Sequence, residues 1–450
     1  MHRRWLWGAA SVLFAATAMM SGCSSAKQQT SEKAVDQAAA PKKDPVELSL
    51  LMTGTATDEE FEKVYGAVLK KKFPHVTFKK VTADNKIARM EELVSTGQPV
   101  DLIFASINYT SEYIVGMGLG TDISDLIKSY KYDTSVLEPS TLEMQKQIAN
   151  GGIYGLPVST TAFTVFYNKD IFDRFGVGYP KDGMTWDEMY SLAQKVTRNE
   201  NGNQYYGFLI SPLHYLLSNQ RGLPMLDPKT QAPLFTEEKY KAILENLIRF
   251  YQIPGAETNK YVLTRDVAKN AIMFFENKNV AMYAYMNGLR HEEMDKMNWD
   301  IVSMPSFKDS PGVGTQSYPG FVYLSKTSKH REQAFEVMAY LTSEEYQRYQ
   351  AESLATSSIL KNPDIMKNFA KGSVYESYYK GKNIKALLPE KFAPYSPKDQ
   401  YTRVVEAPLA EAMMKVAKNQ SDINTALRQT SEKAVQEINK VKQQEGAKNK

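Results

Sequence analysis

Cysteine is almost missing from this sequence: 450 residues include one, Cys23. With no second thiol, no disulfide can form within the chain, and its hydrophobic core must hold it together. Histidine is nearly as scarce, and His2, His75, His214, His291 and His330 all stand apart from one another. "HEEMD" at 291 lacks the second His four residues on that would share a zinc ion across one helix face. Phosphate-binding loops are absent too. Gly381-Lys382 is followed by Asn383, with Gly372 too far upstream, so no P-loop is present. "GMGLG" at 116–120 lacks the GxGxxG spacing, and no GxSxG elbow occurs. Charge of one sign is not in excess: Lys plus Arg is 55 and Asp plus Glu is 51, for a net +4. That balance gives no reason to invoke nucleic acid. Acidic residues are plentiful, yet nothing singles out a pair at glycosidase spacing. No catalytic residue, metal or cofactor is expected.

What is present begins at the N-terminus. His2, Arg3 and Arg4 precede the uncharged run "WLWGAASVLFAATAMM", and Ser21-Gly22 follow it. A basic start, an apolar stretch and small residues at a cut site are the layout of a secretory signal peptide, here 1–22. The run at 5–20 is shorter than the roughly 20 residues a spanning helix needs. Met20-Ser21-Gly22-Cys23 resembles the bacterial lipobox, with Met20 where that motif prefers Leu. The resemblance implies cleavage before Cys23 and lipid attachment through its sulfur. Residues 23–45, rich in Ser, Gln, Ala and Lys, read as a flexible tether with a root-mean-square reach of about 25 Å.

Periodic patterns start at 46. "VELSLLMTG" (46–54) alternates like a strand becoming buried, and Gly54 ends it. Thr57 and Glu60 form a capping box for a helix whose apolar face is Phe61, Val64, Tyr65, Val68 and Leu69. "VTFKKV", "IARMEELVSTG" and "VDLIFAS" follow as strand, helix and strand. A β-α-β-α-β start implies a mainly parallel sheet flanked by helices. Short helices fill 122–150, and the glycines and Pro157 of 151–157 mark a turn leading into extended chain. A second α/β unit follows. "TAFTVFYN", "YYGFLI", "VAMYAYMNG" and "WDIVSMPS" read as strands, and "TWDEMYSLAQKV", 236–252 and 266–278 as helices. "GFVYLSK" is one more strand, followed by a helix with Ala334, Phe335, Met338 and Leu341 facing inward. Two helices flank the turn at Asn419–Asp422, and 441–450 is expected to fray.

Three loops at strand ends carry small hydroxyls or an amide: "MTGTATD", "SINYT" (106–110) and "YMNG" (285–288). The last two add an aromatic ring. In open α/β sheets ligands bind beyond the carboxyl ends of strands. Sugars suit such loops, because their hydroxyls want neutral partners and their C–H faces pack on rings. Asn, Gly, Ser and Thr also fill loops for turn chemistry alone.

"GGIYGLPVSTTAFTVFYNKDIFDRFGV" with "TWDEM", then "FFENKNVAMYAYMNG", then "MPSFKDSPGVGTQSYPGFVYLSKTSKHREQAFEVMAYLTSEEYQ", resemble in order three segments of bacterial extracellular solute-binding proteins of ABC sugar importers, the maltose-binding type. The resemblance implies an α/β, two-lobe periplasmic-binding-protein-like fold, each lobe a mainly parallel sheet, joined by hinge crossovers. The N-terminal lobe would be 46–157 plus 316–365, the C-terminal lobe 158–315 plus 366–440. Ligand-binding residues implied are Thr53, Ser106, Asn108, Tyr109, Thr160, Tyr285, Asn287 and Tyr318. Trp186, in the helix-start motif, reads as packing. His214 and Arg221 follow "YYGFLI" in a loop that, if it reaches the cleft, admits an acidic sugar. The implied function is non-enzymatic delivery of a carbohydrate, an oligosaccharide by preference, to an ABC permease. The protein would be a monomer tethered by lipid to the outer face of the cell membrane. Alternatives from the residues are a surface enzyme acting on polysaccharide, a non-transport adhesion or sensor lipoprotein, and a binding protein for a peptide or polyamine.

Overall fold

The computed structural model describes residues 44–52, 57–82, 92, 95–256, 267–398 and 401–448. The stretch read as a signal peptide, Cys23 and most of the stretch read as a tether lie outside the described residues, as does most of the helix expected at 87–97. All the described elements belong to the compact unit Pro45–Lys450.

Ten strands form two sheets. In chain order they are β1 (Val46–Met52), β2 (Val76–Thr82), β3 (Leu102–Ser106), β4 (Gly155–Ser159), β5 (Phe163–Asn168), β6 (Arg198–Glu200), β7 (Asn203–Ile210), β8 (Val280–Met286), β9 (Trp299–Val302) and β10 (Gly320–Leu324). The first sheet has the order β2-β1-β3-β10-β4 and the second β6-β7-β8-β5-β9. β1 pairs in parallel with β2 and β3, while β10 runs antiparallel to both β3 and β4. In the second sheet β7 and β8 are parallel, and β5 runs antiparallel to β8 and β9. The reversed strand inside each sheet is the one whose chain arrives from the other sheet. β5 follows β4, and β10 follows β9. A chain that leaves one sheet at its carboxyl edge and enters the next at that edge must run against its neighbours.

Alternation along the strands builds the first core on two faces. Leu48, Leu50, Leu102, Phe104, Leu156, Val158, Val322 and Leu324 point to one side. They pack there on Phe61 and Leu69 and on the helix Arg331–Leu341 through Ala334, Phe335, Met338 and Leu341. Leu51, Ile103, Ala105, Phe321 and Tyr323 point to the other side, against Tyr113, Ile114 and Met144. A buried polar cluster ties that side together. The Gln145 amide donates to the Tyr323 hydroxyl at 3.2 Å, and its carbonyl oxygen accepts from the Gly155 N–H at 3.2 Å. Thr110 also bonds Tyr323. The second sheet is sandwiched by helices into one larger core, with Phe166, Trp186, Phe208, Phe274 and Trp299 buried within it.

Local signals act as the sequence indicates. Thr57 and Glu60 bond reciprocally, as do Thr185 and Glu188. Trp186 is buried, and its indole N–H donates to Gln220 Oε1 at 2.8 Å. Differences have physical reasons. The helix from Asp58 is interrupted by a π-helical stretch at Glu62–Gly66 before it resumes at Ala67–Lys72. β4 is a full strand because β10, far along the chain, pairs with it. β6 and β7 form a hairpin across Asn201-Gly202, both at positive φ. β6 has no buried residue to mark it as a strand, so the Asn-Gly turn is its one local signal. The last helix runs Ile423–Lys448, through most of the segment expected to fray, because Lys, Gln, Glu and Ala all favour helix.

Gly207 of β7 faces the helix Trp186–Val196 so closely that a Cβ there would stand 2.2 Å from the Ala193 carbonyl oxygen. Gly207→Ala is therefore expected to destabilise the protein by about 1–3 kcal/mol, the usual cost of overpacking. Urea unfolding midpoints measure it, and an unchanged midpoint would show that the helix yields freely.

Candidate functional site

The carboxyl edges of the two sheets meet at the crossovers. Ser159 ends β4 and Phe163 begins β5, so at most about 14 Å of chain separates the sheets there. Gly320, at the start of β10, pairs with both Ser106 and Ser159, and Phe163 pairs with Met286 at the end of β8. The second crossover lies beside the first. The Tyr318 N–H donates to the Thr161 carbonyl at 2.9 Å, and the Thr161 N–H returns the bond at 3.2 Å. A third passage follows the helix Glu344–Leu354. The Thr160 N–H reaches the Ser357 carbonyl at a long 3.5 Å.

Several expected site residues gather here. Ser106, half-buried at the end of β3, has its hydroxyl 3.4 Å from that of Tyr318. Tyr109 is half-buried and stacked on Tyr113, with centroids 5.4 Å apart and planes within 5°. Tyr285, at the end of β8, stacks on Tyr283 at 5.8 Å and meets Phe163 and His214 edge-on, each at 5.9 Å. Burial pushes the Tyr285 hydroxyl up to about 12, with the nearby Tyr318 adding to it. It therefore remains a neutral donor and acceptor at ordinary pH. Ser106, Tyr285 and Tyr318 thus draw hydroxyls and rings from both sheets to one junction.

Thr160 and Asn287 sit deeper. Thr160 is buried, with its hydroxyl 2.7 Å from that of Ser317. Asn287 is also buried. Its amide donates to the Leu387 carbonyl at 2.5 Å and lies 3.3 Å from the Ser357 hydroxyl. Both side chains knit the crossovers. Thr53 lies outside the described residues. Asn108 belongs to the helical turn Ile107–Tyr109, but its side chain is outside the described set. His214 does approach the junction through Tyr285, with Nδ1 2.6 Å from the Ser211 hydroxyl. Arg221 is held by Asp309 at 2.8 Å and lies over the Phe307 ring.

Two cations outside the expected set also lie at the junction. The Arg403 guanidinium lies 5.1 Å from the centroid of the Tyr109 ring, and the Lys398 ammonium 5.6 Å from that of Tyr318. Both come from the C-terminal part of the chain. Arg403 is on the helix Thr402–Ala417, whose Val405, Leu409, Ala412 and Met413 pack into the second core. Tyr395, just upstream, packs into the first core beside Tyr113 and Phe321. Nothing local marks either cation, because Tyr109 lies 294 positions from Arg403 and Tyr318 lies 80 positions from Lys398. Burial pushes the Lys398 ammonium down to about 8, with the Glu406 carboxylate working the other way.

A binding protein is the class this architecture defines. The sequence profile of the bacterial extracellular solute-binding protein family matches residues 55–348. That is more than half of the chain, and the chain belongs to this family of solute binders rather than to an enzyme family. It is similar to a putative binding protein of Brucella abortus (strain 2308), 23% identical over 361 residues, covering 75% of this chain and 80% of the relative. A mannitol-binding protein of Pseudomonas aeruginosa is 20% identical over 312 residues, covering 65% and 68%. Among solved structures, a sugar transporter protein of Rhizobium etli in an open conformation matches with TM-score 0.69 and 18% identity, covering 86% of this chain and 98% of that one. The ABC substrate-binding protein of Listeria monocytogenes in complex with cycloalternan matches with TM-score 0.66 and 18% identity, covering 88% and 100%. MalE of Xanthomonas citri matches with TM-score 0.68 and 15% identity, covering 88% and 98%. These likenesses show the fold, the periplasmic-binding-protein-like α/β architecture. Among the described residues no helix is long and apolar enough to cross a membrane.

The Lys398 shift sets a pH dependence. Its folded-state pKa lies below that of an unfolded lysine, so between about 8 and about 10.4 the unfolded chain binds more protons and stability from this group rises with pH. Lys398→Met removes that rise. The urea midpoint of the wild type is expected to gain on that of the variant between pH 7.5 and 9.5. Parallel curves would show that the ammonium is fully hydrated.

Proposed function

We propose that this protein is a lipid-anchored extracellular receptor that closes two lobes on a carbohydrate, an oligosaccharide by preference, and presents it to an ABC importer. The observation that supports this most is the gathering of Ser106, Tyr285 and Tyr318 at the junction of the two sheets. Neutral hydroxyls beside half-buried rings match sugar, which offers hydroxyls around its rim and C–H groups on its faces. Nothing in this set favours an ion or a purely apolar ligand. Relatives named for mannitol and cycloalternan agree with the polyol and sugar class. In this reading the crossovers at 160–162 and 317–319 and the passage at 355–358 are the hinge, and the receptor acts as a monomer. Ligand shifts the population toward the closed form, which the permease reads. Thr53, Asn108 and Tyr109 would complete the ligand contacts from the first lobe. The tether and Cys23 would hold the receptor at the membrane's outer face, a second acyl chain making the anchor firm.

Ligand is expected to stabilise the protein by mass action, about 2.7 kcal/mol at a concentration one hundred times Kd. A thermal-shift screen of mono- and oligosaccharides on protein starting at residue 46 should give hits. Peptides or polyamines shifting the melt where no sugar does would overturn the substrate class. Tyr318→Ala or Tyr285→Ala should then weaken binding of the hit by roughly five- to thirtyfold, about 1–2 kcal/mol, measured by calorimetry. For the anchor, Cys23→Ser expressed in the native host should move the protein from the membrane fraction to the medium or periplasm. A variant that stays membrane-bound would refute lipid attachment at that sulfur.

A further inference from the structure

A cavity of about 960 Å³ starts at Ser358 and is lined further on by residues from 360–367 and 382–390. The segment 382–387 covers the outer edge of β9. The Lys382 ammonium donates to the Trp299 carbonyl at 2.7 Å, and the Asn383 amide to that of Ile301 at 3.3 Å. The Thr164 hydroxyl then fastens it to the second sheet by donating to the Ala386 carbonyl at 2.8 Å. The wall at 359–361 is fastened elsewhere. Ile359 is buried in the first core, Leu360 bridges Leu137, and the Lys361 N–H donates to the Val136 carbonyl at 3.0 Å. With these walls tied to different cores, the gap between them is preformed, and its size is that of a small-molecule site. Leu360, Met366, Ile384 and Leu388 make it apolar inside, and no aromatic ring is among the described residues lining it. Its charge is positive: four lysines line it against Asp364 and Glu390. Lys367 is paired with Asp364 at 2.7 Å, and Lys382 is committed to Trp299. Lys361 and Lys385 are exposed, and neither forms an ion pair among the described residues. The stretch 361–391 holds seven lysines against Asp364, Glu376 and Glu390, so the chain's net +4 is concentrated here.

We propose that this groove is a second binding site, for a small organic anion with an apolar body. The body leaves water against Leu360, Met366, Ile384 and Leu388, which is favourable in proportion to the area covered. A carboxylate, sulfonate or phosphate at its end meets Lys361 and Lys385 at the rim. Both ammonium groups are exposed there, so neither they nor the anion must be stripped of water to pair. Exposed pairs are weak singly. The apolar body therefore supplies most of the affinity, and the lysines decide the sign of the charge accepted. A neutral sugar is poorly served, because no ring offers a face for its C–H groups to pack on. An organic cation is repelled by the lysines. The site goes beyond the carbohydrate reading and does not rest on it, since that reading concerns the junction of the sheets.

The test is calorimetric titration, at low salt, of protein starting at Pro45, which keeps the whole compact unit. The probes are butane-, hexane- and octanesulfonate, and the alkyltrimethylammonium ions of matching length. The sulfonates are expected to bind one to one, about two- to fourfold more tightly for each added methylene. The ammonium ions should not bind. Lys361→Glu combined with Lys385→Glu should weaken octanesulfonate about tenfold, and the corresponding pair of Gln substitutions about threefold. Lys371→Glu combined with Lys380→Glu changes two exposed lysines of the same stretch that do not line the groove, and should leave the affinity unchanged. Melting curves show that each variant is folded before its affinity is read. No binding of any sulfonate, an affinity independent of chain length, or equal binding of sulfonate and ammonium overturns the site. So does an affinity unmoved by the Glu pair at 361 and 385, or lowered as much by the pair at 371 and 380. None of these results bears on the sugar screen, which stands or falls separately.

Discussion

The junction at Thr160 is the point on which this molecule turns. Three passages of chain between the sheets run through it, and hydrogen bonds hold each to the next. Thr160 bonds the Ser317 hydroxyl at 2.7 Å, Thr161 and Tyr318 exchange backbone bonds, and Ser357 links the third passage to Thr160 and to Asn287. From the first core, the amides of Gln347 and Gln350 both donate to the Val158 carbonyl, at 3.0 and 2.7 Å. Those bonds fasten the helix Glu344–Leu354 to the strand that leads into the junction. A buried polar node is stable only if every member is paired, since an unpaired group there costs about 1–3 kcal/mol. Its sequence is correspondingly rich in short hydroxyl side chains, which can satisfy one another within a narrow space.

Much else follows from this geometry. Because the crossing chain enters each sheet at the carboxyl edge, one strand in the interior of each sheet runs backwards. The reversed strands, β5 and β10, stand between parallel neighbours in matching places. The ends of β3, β4 and β8 and the starts of β5 and β10 thereby face one junction. Ser106, Tyr285 and Tyr318 stand at those ends. The candidate site is thus a by-product of how two sheets are joined, and its residues come from segments that no local pattern connects.

That explains what the sequence discloses and what it withholds. Strands with alternating apolar residues, such as Val46–Met52, and capped helices, such as the one after Thr185, are local events, and their patterns show in a window of ten residues. β4 does not show, because its partner β10 lies some 160 positions on and supplies the pairing that makes it a strand. Among the expected site residues, Ser106 and Tyr285 are readable because they sit at the carboxyl ends of apolar strands, beyond which ligands bind. Tyr318 emerges from the family pattern rather than from periodicity. Thr160 and Asn287 have the residue types of a binding loop but are buried in the node, and only the bonds they make distinguish the two uses. Lys398 and Arg403 carry no local signal. One follows Pro397 and the other starts a helix, and it is tertiary folding alone that lays them on Tyr318 and Tyr109.

The distribution of charge across the junction sets the terms on which anything can bind there. The Tyr285 hydroxyl at the junction is held neutral by burial, and that of Tyr283, stacked against it and wholly buried, still more so. The cations beside it differ: Arg403 is exposed to water, whereas Lys398 is half-buried and has given up part of its hydration. A charge withdrawn in that way carries a desolvation cost that nearby groups must offset, and the Glu406 carboxylate works in that direction. Neutral hydroxyls can exchange hydrogen bonds with a polar ligand at little cost, whereas charged groups near the surface govern the speed of encounter and the preference between ligands more than the total affinity.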